Sequence, residues 1–446
     1  MKHHSYPVAV GRFEKPFTSV QQVVDDCCGG RLFKPGQRVV IKPNIVFWTR
    51  AVPFPKYGVI TTSRVVHDVV ALLCDYGLRD ITILEGSVAL DPAETAVQAA
   101  HAFETLGYRK LARRYGVKTH NVFERPFRRV DLGDGIRLRF CADILDCDRI
   151  VNLPVLKTHA QTVVSLGIKN LKGTIDIASR KTCHSADPGK DLHCHVARLA
   201  DPMPPMLTLI DGIYSAERGP NVDGRMHRSN ILVAAADVFA ADKVGARLLG
   251  YPPPQVPHLA YYAANHNRPS DLSDVQVVGA AIDDLARYHE AAFPYTENGE
   301  MPAVWAEKGI EGLSYRQYDL TMCTYCSGLT GAVMTAIMAA WEGRPWDDVE
   351  VLSGKVMQAD PTKKHTILLG KCMCRANRDN PNIRHRIPIN GCPPKKDQII
   401  KALHAAGIDI DDNIIHHLEQ LPGLLMKRYA RRPEFEPGHF EVKDGP

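Results

Sequence analysis

The chain has 446 residues, 45% of them hydrophobic and 24% charged, the proportions of a globular protein with ample material for a core. At roughly 150 residues per domain, this length predicts two or three units. The formal net charge of +5 is mild and argues against a dedicated nucleic-acid binder, which concentrates Lys and Arg on one face.

The first residues, MKHHSYPVAVGRF, lack the charged start and apolar core of a signal peptide. The most apolar helical stretch, 331–340, is too short to span a bilayer. The expectation is a cytoplasmic protein without a membrane span. VVIK at 39–42 reads as a strand stopped by Pro43 and Asn44. In the next segment Val65, Val66, Val69, Val70, Leu72 and Leu73 recur at helical spacing, and Gly77 follows as the stop. DITIL at 80–84 is the next strand, and 92–106 the next helix. The pattern goes on with strands at 149–152, 207–210 and 230–235, a helix at 237–249 and a strand at 275–278. Strand–helix alternation implies a Rossmann-like parallel sheet covered by helices. The Gly/Pro-rich segments 50–60, 184–190 and 216–229 read as long loops over one face.

The alternation weakens over 285–320, which is read as a domain boundary. Beyond it come a helix at 327–342, strands at 349–352 and 366–369, and a helix at 396–406. The predicted organisation is an α/β domain at 1–300, a smaller α/β domain at 301–425 and an extended tail at 426–446.

Twelve cysteines in a protein expected to be cytoplasmic need an explanation other than disulfides. Cys27, Cys28, Cys74, Cys141 and Cys147 sit in or beside apolar segments and read as small buried residues. The later cysteines differ. Cys323 and Cys326 form C-x-x-C just before a helix, Cys372 and Cys374 follow a strand, and Cys392 lies in Asn-Gly-Cys-Pro-Pro ahead of the last predicted helix. In a parallel sheet these positions share one edge. Helix N-termini favour an anionic centre there, and Gly370 and Gly391 allow close backbone approach. One C-x-x-C with dispersed partners suits an iron–sulfur cluster better than zinc, which favours paired knuckles. The predicted 4Fe-4S ligands are Cys323, Cys326, Cys392 and one of Cys372 or Cys374, with Cys372 the choice because it directly follows the strand end. Zinc and unliganded thiols are the rivals. No C-x2-C-x2-C-x3-C-P run marks a two-cluster ferredoxin. Gly-Cys-Pro-Pro resembles the last cluster ligand in the small subunits of hydrogenases and of respiratory complex I.

Polar residues also gather at predicted strand ends of the first domain, where α/β sheets bind ligands. They are Lys42, Asn44, Thr61, Thr62, Glu85, Lys157, His159 and Asp211, followed by Gly-Ile-Lys-Asn-Leu-Lys-Gly at 167–173 and by His184. Basic residues among amides and glycine suit a carboxylate or phosphate. His159 and His184 are candidate proton carriers. No Walker or dinucleotide glycine signature is present. His193, Cys194 and His195 read as polar surface rather than a metal site.

These segments together, VVIKPNI, DRIVNLPVLKTHAQTVVSLGIKNLKGTI and LTLIDGIYSAERGPNVDG, resemble the family catalogued as domain of unknown function 362, over roughly 35–280. Many of its members are iron–sulfur proteins. The likeness implies an α/β iron–sulfur protein common in anaerobes and supplies no reaction. By motif position it implies a site of Lys42, Asn44, Lys157, His159, Lys169, Asn170, Lys172, His184, Asp211 and Asp242. The family also bears a distant likeness to the nickel-pincer lactate racemases.

The leading expectation is a redox protein passing electrons from the cluster to an anionic substrate or cofactor. Lys42, Asn44, Lys169, Asn170, Lys172, Asp211 and Asp242 would bind that ligand, while Lys157, His159 and His184 serve catalysis. It also expects a redox partner protein and leaves homo-oligomerisation open. The rivals are a non-redox lyase, isomerase or transferase with a structural or Lewis-acid cluster, and an electron carrier or assembly factor with no small-molecule site.

Overall fold

The structure, a computed structural model, describes residues 5–443 except 55, 90 and 220–223. The loop read at 216–229 and the tail read at 426–446 therefore lie partly outside the described residues. The chain divides into two units. The first comprises 1–179, 193–292 and 425–446, and the second 180–192 and 293–424.

The first unit is built on ten strands: β1 (Tyr6–Arg12), β2 (Arg38–Lys42), β3 (Asp80–Glu85), β4 (Lys118–Asn121), β7 (Arg149–Asn152), β8 (Val155–His159), β9 (Val163–Ser165), β10 (Met206–Glu217), β11 (Arg225–Ala235) and β12 (Val275–Gly279). β5 (Phe127–Asp131) and β6 (Arg137–Cys141) form a separate hairpin. The main path runs β12-β1-β11-β10-β7-β2-β3-β4, with β8 and β9 paired beside β10. The run from β10 through β4 is parallel, as the alternation predicts. β11 is antiparallel to both β10 and β1.

Local chemistry fixes these elements. Thr62 caps the helix Ser63–Asp75 by accepting from the Val65 amide at 3.2 Å. That helix buries Val65, Val66, Val69, Val70, Leu72 and Leu73 against Val39, Ile41, Ile81 and Ile83 of the sheet. Because the strands are covered on both faces, they read as continuous apolar runs.

The tail is not the extended arm its polar, proline-bearing sequence suggests. Tyr429, Phe435, Phe440 and Val442 are buried in the core of the first unit. Tyr57 meets Tyr214, Phe435 and Phe440 at ring separations of 4.9, 5.0 and 5.5 Å, and its hydroxyl donates to the Phe435 carbonyl at 3.1 Å. Aromatics spaced among charges bury one side and leave the charges in water.

The second unit has four parallel strands in the order β13 (Leu313–Tyr315), β14 (Val349–Leu352), β15 (His365–Leu369) and β16 (His385–Ile389). Helices Thr324–Ala339 and Lys396–Ala405 bury their apolar sides. Residues 180–192 join this unit. Lys355 Nζ donates to the carbonyls of Lys181 and His184, and His184 Nδ1 bonds the Leu320 carbonyl at 2.8 Å. The segment read as a loop of the first domain at 184–190 thus belongs to the second unit. Among the described residues no helix is long and apolar enough to cross a membrane.

Candidate functional site

In the first unit the strand ends carry a buried amide and amine network. Lys42 closes β2 and is fully enclosed. Its ammonium is ion-paired with Glu85 at the end of β3 and donates to the Pro43 carbonyl at 2.8 Å. A Cβ at Gly173 would lie 2.6 Å from Lys42 Nζ, so the last glycine of the 167–173 motif clears the space for this lysine. The Lys157 amine, only 3% exposed as a residue, donates to Asn44 Oδ1 at 2.6 Å and to the Val59 carbonyl at 2.8 Å. Asn44 Nδ2 donates to Asn170 Oδ1 at 2.9 Å, and Asn170 Nδ2 to Asn152 Oδ1 at 2.8 Å. The network therefore joins β8, the turn after β2, the end of β7 and the end of the helix Gly167–Asn170. Asn152 was missed as a site residue. Its signal was its place as the last residue of β7, beside polar ends.

The electrostatics follow from burial. Desolvation pulls Lys157 down from its ordinary 10.5 to about 7, with Glu85 opposing and Lys42 reinforcing the shift. Lys169 is drawn well below its ordinary value by desolvation and then by Lys172 and Lys157. A neutral Lys157 spends both N–H groups on Asn44 and Val59 and keeps a lone pair for a proton. Such an amine takes up a proton when an anion arrives, or removes one from a bound acid. His159 ends β8 half-buried, two residues beyond Lys157, and its Nδ1 accepts from the Gln161 amide at 3.1 Å.

Several expected ligand contacts are structural instead. Lys42 is ion-paired with Glu85 and bonds the Pro43 carbonyl. Asp211 accepts from the amides of Thr62 at 2.7 Å and Ile213 at 3.1 Å. Asp242 accepts from Gly167 at 2.6 Å and Ile168 at 2.9 Å, under the short helix Gly167–Asn170. Both carboxylates are buried, and desolvation raises Asp211 to about 6 and Asp242 to about 7 against these bonds. They pin the 167–173 turn and the Thr62 cap rather than facing a ligand. His184 lies in the other unit. His193 and His195, read as polar surface, are buried on the helix Leu192–Ala197. His193 lies parallel to the fully buried His258 at 6.3 Å, and neither ring nitrogen of His258 has a partner among the described residues.

In the second unit the thiols gather past the C-terminal ends of its parallel strands. Cys323 stands at the N-cap of helix Thr324–Ala339, with Cys326 in its first turn. Cys372 follows β15, and Cys392 follows β16. The two latter loops are stitched together: Gly370 N donates to the Ile389 carbonyl at 2.9 Å, and Lys371 N to Gly391 at 3.0 Å. Cys326 Sγ lies 3.0 Å from where a Gly370 Cβ would be. Burial, helped by Cys323, Cys372 and Cys392 as neighbouring negative charges and opposed by Lys355, raises the Cys326 thiol to about 12. Cys374 is turned away, its thiol 3.6 Å from the Leu368 carbonyl. Among the described residues no three Cys, His, Asp or Glu side chains are gathered closely enough to hold a metal ion. Soft thiolates of this kind are the ligands that iron–sulfur clusters take. Four thiols, Cys323, Cys326, Cys372 and Cys392, match the number of protein ligands that a 4Fe-4S cluster takes.

Residues 39–247 match the family described as "Domain of unknown function (DUF362)". A thylakoid-associated protein of Synechocystis sp. is 29% identical over 234 residues, which are 52% of this chain and 68% of that protein. The lactate racemase apoprotein from Thermoanaerobacterium thermosaccharolyticum aligns over 56% of this chain with a TM-score of 0.33 and 12% identity. The chain spans 58% of that structure.

Proposed function

We propose that this chain, which carries the DUF362 domain over residues 39–247, is an iron–sulfur redox protein acting on an anionic substrate or cofactor. The observation that carries this reading is the gathering of Cys323, Cys326, Cys372 and Cys392 past the ends of one parallel sheet. A 4Fe-4S cluster bound there supplies one-electron chemistry. The first unit supplies the ligand site. Lys157 and Lys169 take up protons as a carboxylate or phosphate enters, Lys172 adds charge, and Asn44 and Asn170 hold the amine of Lys157 in place. His159, at the half-buried end of β8, exchanges protons with the ligand.

Anaerobic purification with iron and sulfide quantification and EPR tests the reading. The expected result is about four irons and four sulfides per chain, with visible absorbance bleached by dithionite. Colourless, iron-free protein would sink it.

One observation favours a second reading, in which the cluster is a Lewis acid in a non-redox enzyme. Cys372 is exposed, so three thiolates and an open iron suit the same geometry. Separate Cys372→Ser and Cys374→Ser variants discriminate. Loss of iron with Cys372→Ser alone supports four thiolates, and full retention with both supports the open iron.

A further inference from the structure

We infer that the basic rim around Cys372 and Cys392 is the docking face for an acidic, one-electron carrier protein. The inference rests on the cluster reading above and adds a partner class and a place for it. Cys372 and Cys392 are the exposed members of the thiol set, whereas Cys323 is buried and Cys326 half-buried. An exposed ligand edge is where the electron path to another protein is shortest.

The same edge is strongly one-signed. The stretches 370–376 and 391–397 carry Lys371, Arg375, Lys395 and Lys396 against a single acid, Asp397. Lys396 is paired with Glu419 at 2.9 Å. Lys371, Arg375 and Lys395 are exposed and in no ion pair among the described residues. Lys181 adds a further cation. Its Nζ lies 3.9 Å from Cys392 Sγ and 5.8 Å from the Tyr325 ring centroid, and its carbonyl is held by Lys355.

A bland account is that the cations only offset the thiolates. Lys181 serves that purpose at contact distance. Lys371, Arg375 and Lys395 point to an additional role, because charges left in water gain little from a partly shielded centre. Like charges set around an exposed redox edge steer and orient an oppositely charged partner. In the transfer one electron leaves the carrier's metal or flavin centre and enters the cluster. The carrier is oxidised by one electron, the cluster is reduced by one, and no bond or proton moves.

The test uses anaerobically purified full-length protein, with its iron and sulfide quantified, and a strongly acidic 2Fe-2S ferredoxin as the probe. Kd is measured calorimetrically at low and high salt for the wild type, for Lys371→Glu/Lys395→Glu, and for Lys308→Glu, an exposed site outside the rim. The expected result is binding that weakens steeply with salt. The double variant should lose at least about tenfold in affinity with iron content intact, and Lys308→Glu should bind as the wild type does. Salt-independent binding, an unaffected double variant, or equal weakening by Lys308→Glu overturns the docking face. Iron-free protein overturns the cluster reading itself, and the docking face with it.

Discussion

At the scale of single residues, the chemistry of Lys157 is the most direct thing to measure. Its amine falls from 10.5 to about 7 because burial outweighs Glu85. The folded state therefore binds this proton less tightly than the unfolded chain. Stability is lowered in full below about pH 7, and it is recovered as pH rises from 7 towards 10.5. Lys157→Met should flatten the rise in denaturation midpoint between pH 7 and 9, read from urea titrations at each pH. An unchanged slope would show Lys157 charged in the folded protein. Asp242 carries the opposite sign: raised from 3.8 to about 7, it costs stability progressively as pH climbs through that window. Asp242→Asn should remove that fall between pH 4 and 7 in the same titrations. The sequence marked both residues by motif position and could not assign their partners. Lys42 and Lys157 look alike in a string of letters. Only the fold shows that one is neutralised by a carboxylate 43 residues away and the other faces amides.

At the scale of elements, the parallel part of the sheet was legible because fully covered strands leave apolar runs between turn residues. β2, β3, β7, β14 and β15 fall where those runs lie. The ribbon of β10 and β11 was legible only at its core half. The predicted strand stops at Ile210, before Asp211-Gly212, yet β10 runs through the dipeptide to Glu217. Asp211 is satisfied by the amides of Thr62 and Ile213, and a Gly212 Cβ would sit 2.7 Å from the Ile231 carbonyl oxygen. The dipeptide serves close packing within the strand instead of ending it. The turn after β15 makes its own prediction. Gly370 has φ +95°, a region hostile to side chains, and its missing Cβ leaves room for Cys326 Sγ. Gly370→Ala should cost about 1 kcal/mol or more from the backbone alone and displace Cys326. Iron per chain should fall clearly below the wild type in anaerobic preparations. Full iron loading would show that the cluster does not depend on this close approach.

At the scale of the whole molecule, the chain leaves its first unit and returns to it twice. Residues 180–192 and 293–424 build the second unit, and the tail closes the core of the first. No local pattern announces such exchanges, since each depends on contacts between residues far apart in sequence. The His184 segment is polar and loop-like, and only its bonds to Leu320 and Lys355 place it. The tail is similarly disguised, with four buried apolar residues among charges. Its contribution can be separated from that of the thiol unit. Phe440 is fully buried, packed beside Tyr57 and Tyr214 at ring separations of 5.5 and 5.9 Å. Emptying that place in Phe440→Ala should cost about 3–5 kcal/mol, the sum of lost transfer energy and an unfilled cavity. Because Phe440 belongs to the first unit, the loss should appear in that unit's thermal transition, while iron content and the EPR signal of the second stay as in the wild type. A transition unmoved by Phe440→Ala would return the tail to an arm that stabilises nothing. Loss of iron alongside the lowered transition would show that the two units fold as one cooperative body, so that closing the first core is a condition for assembling the thiol site.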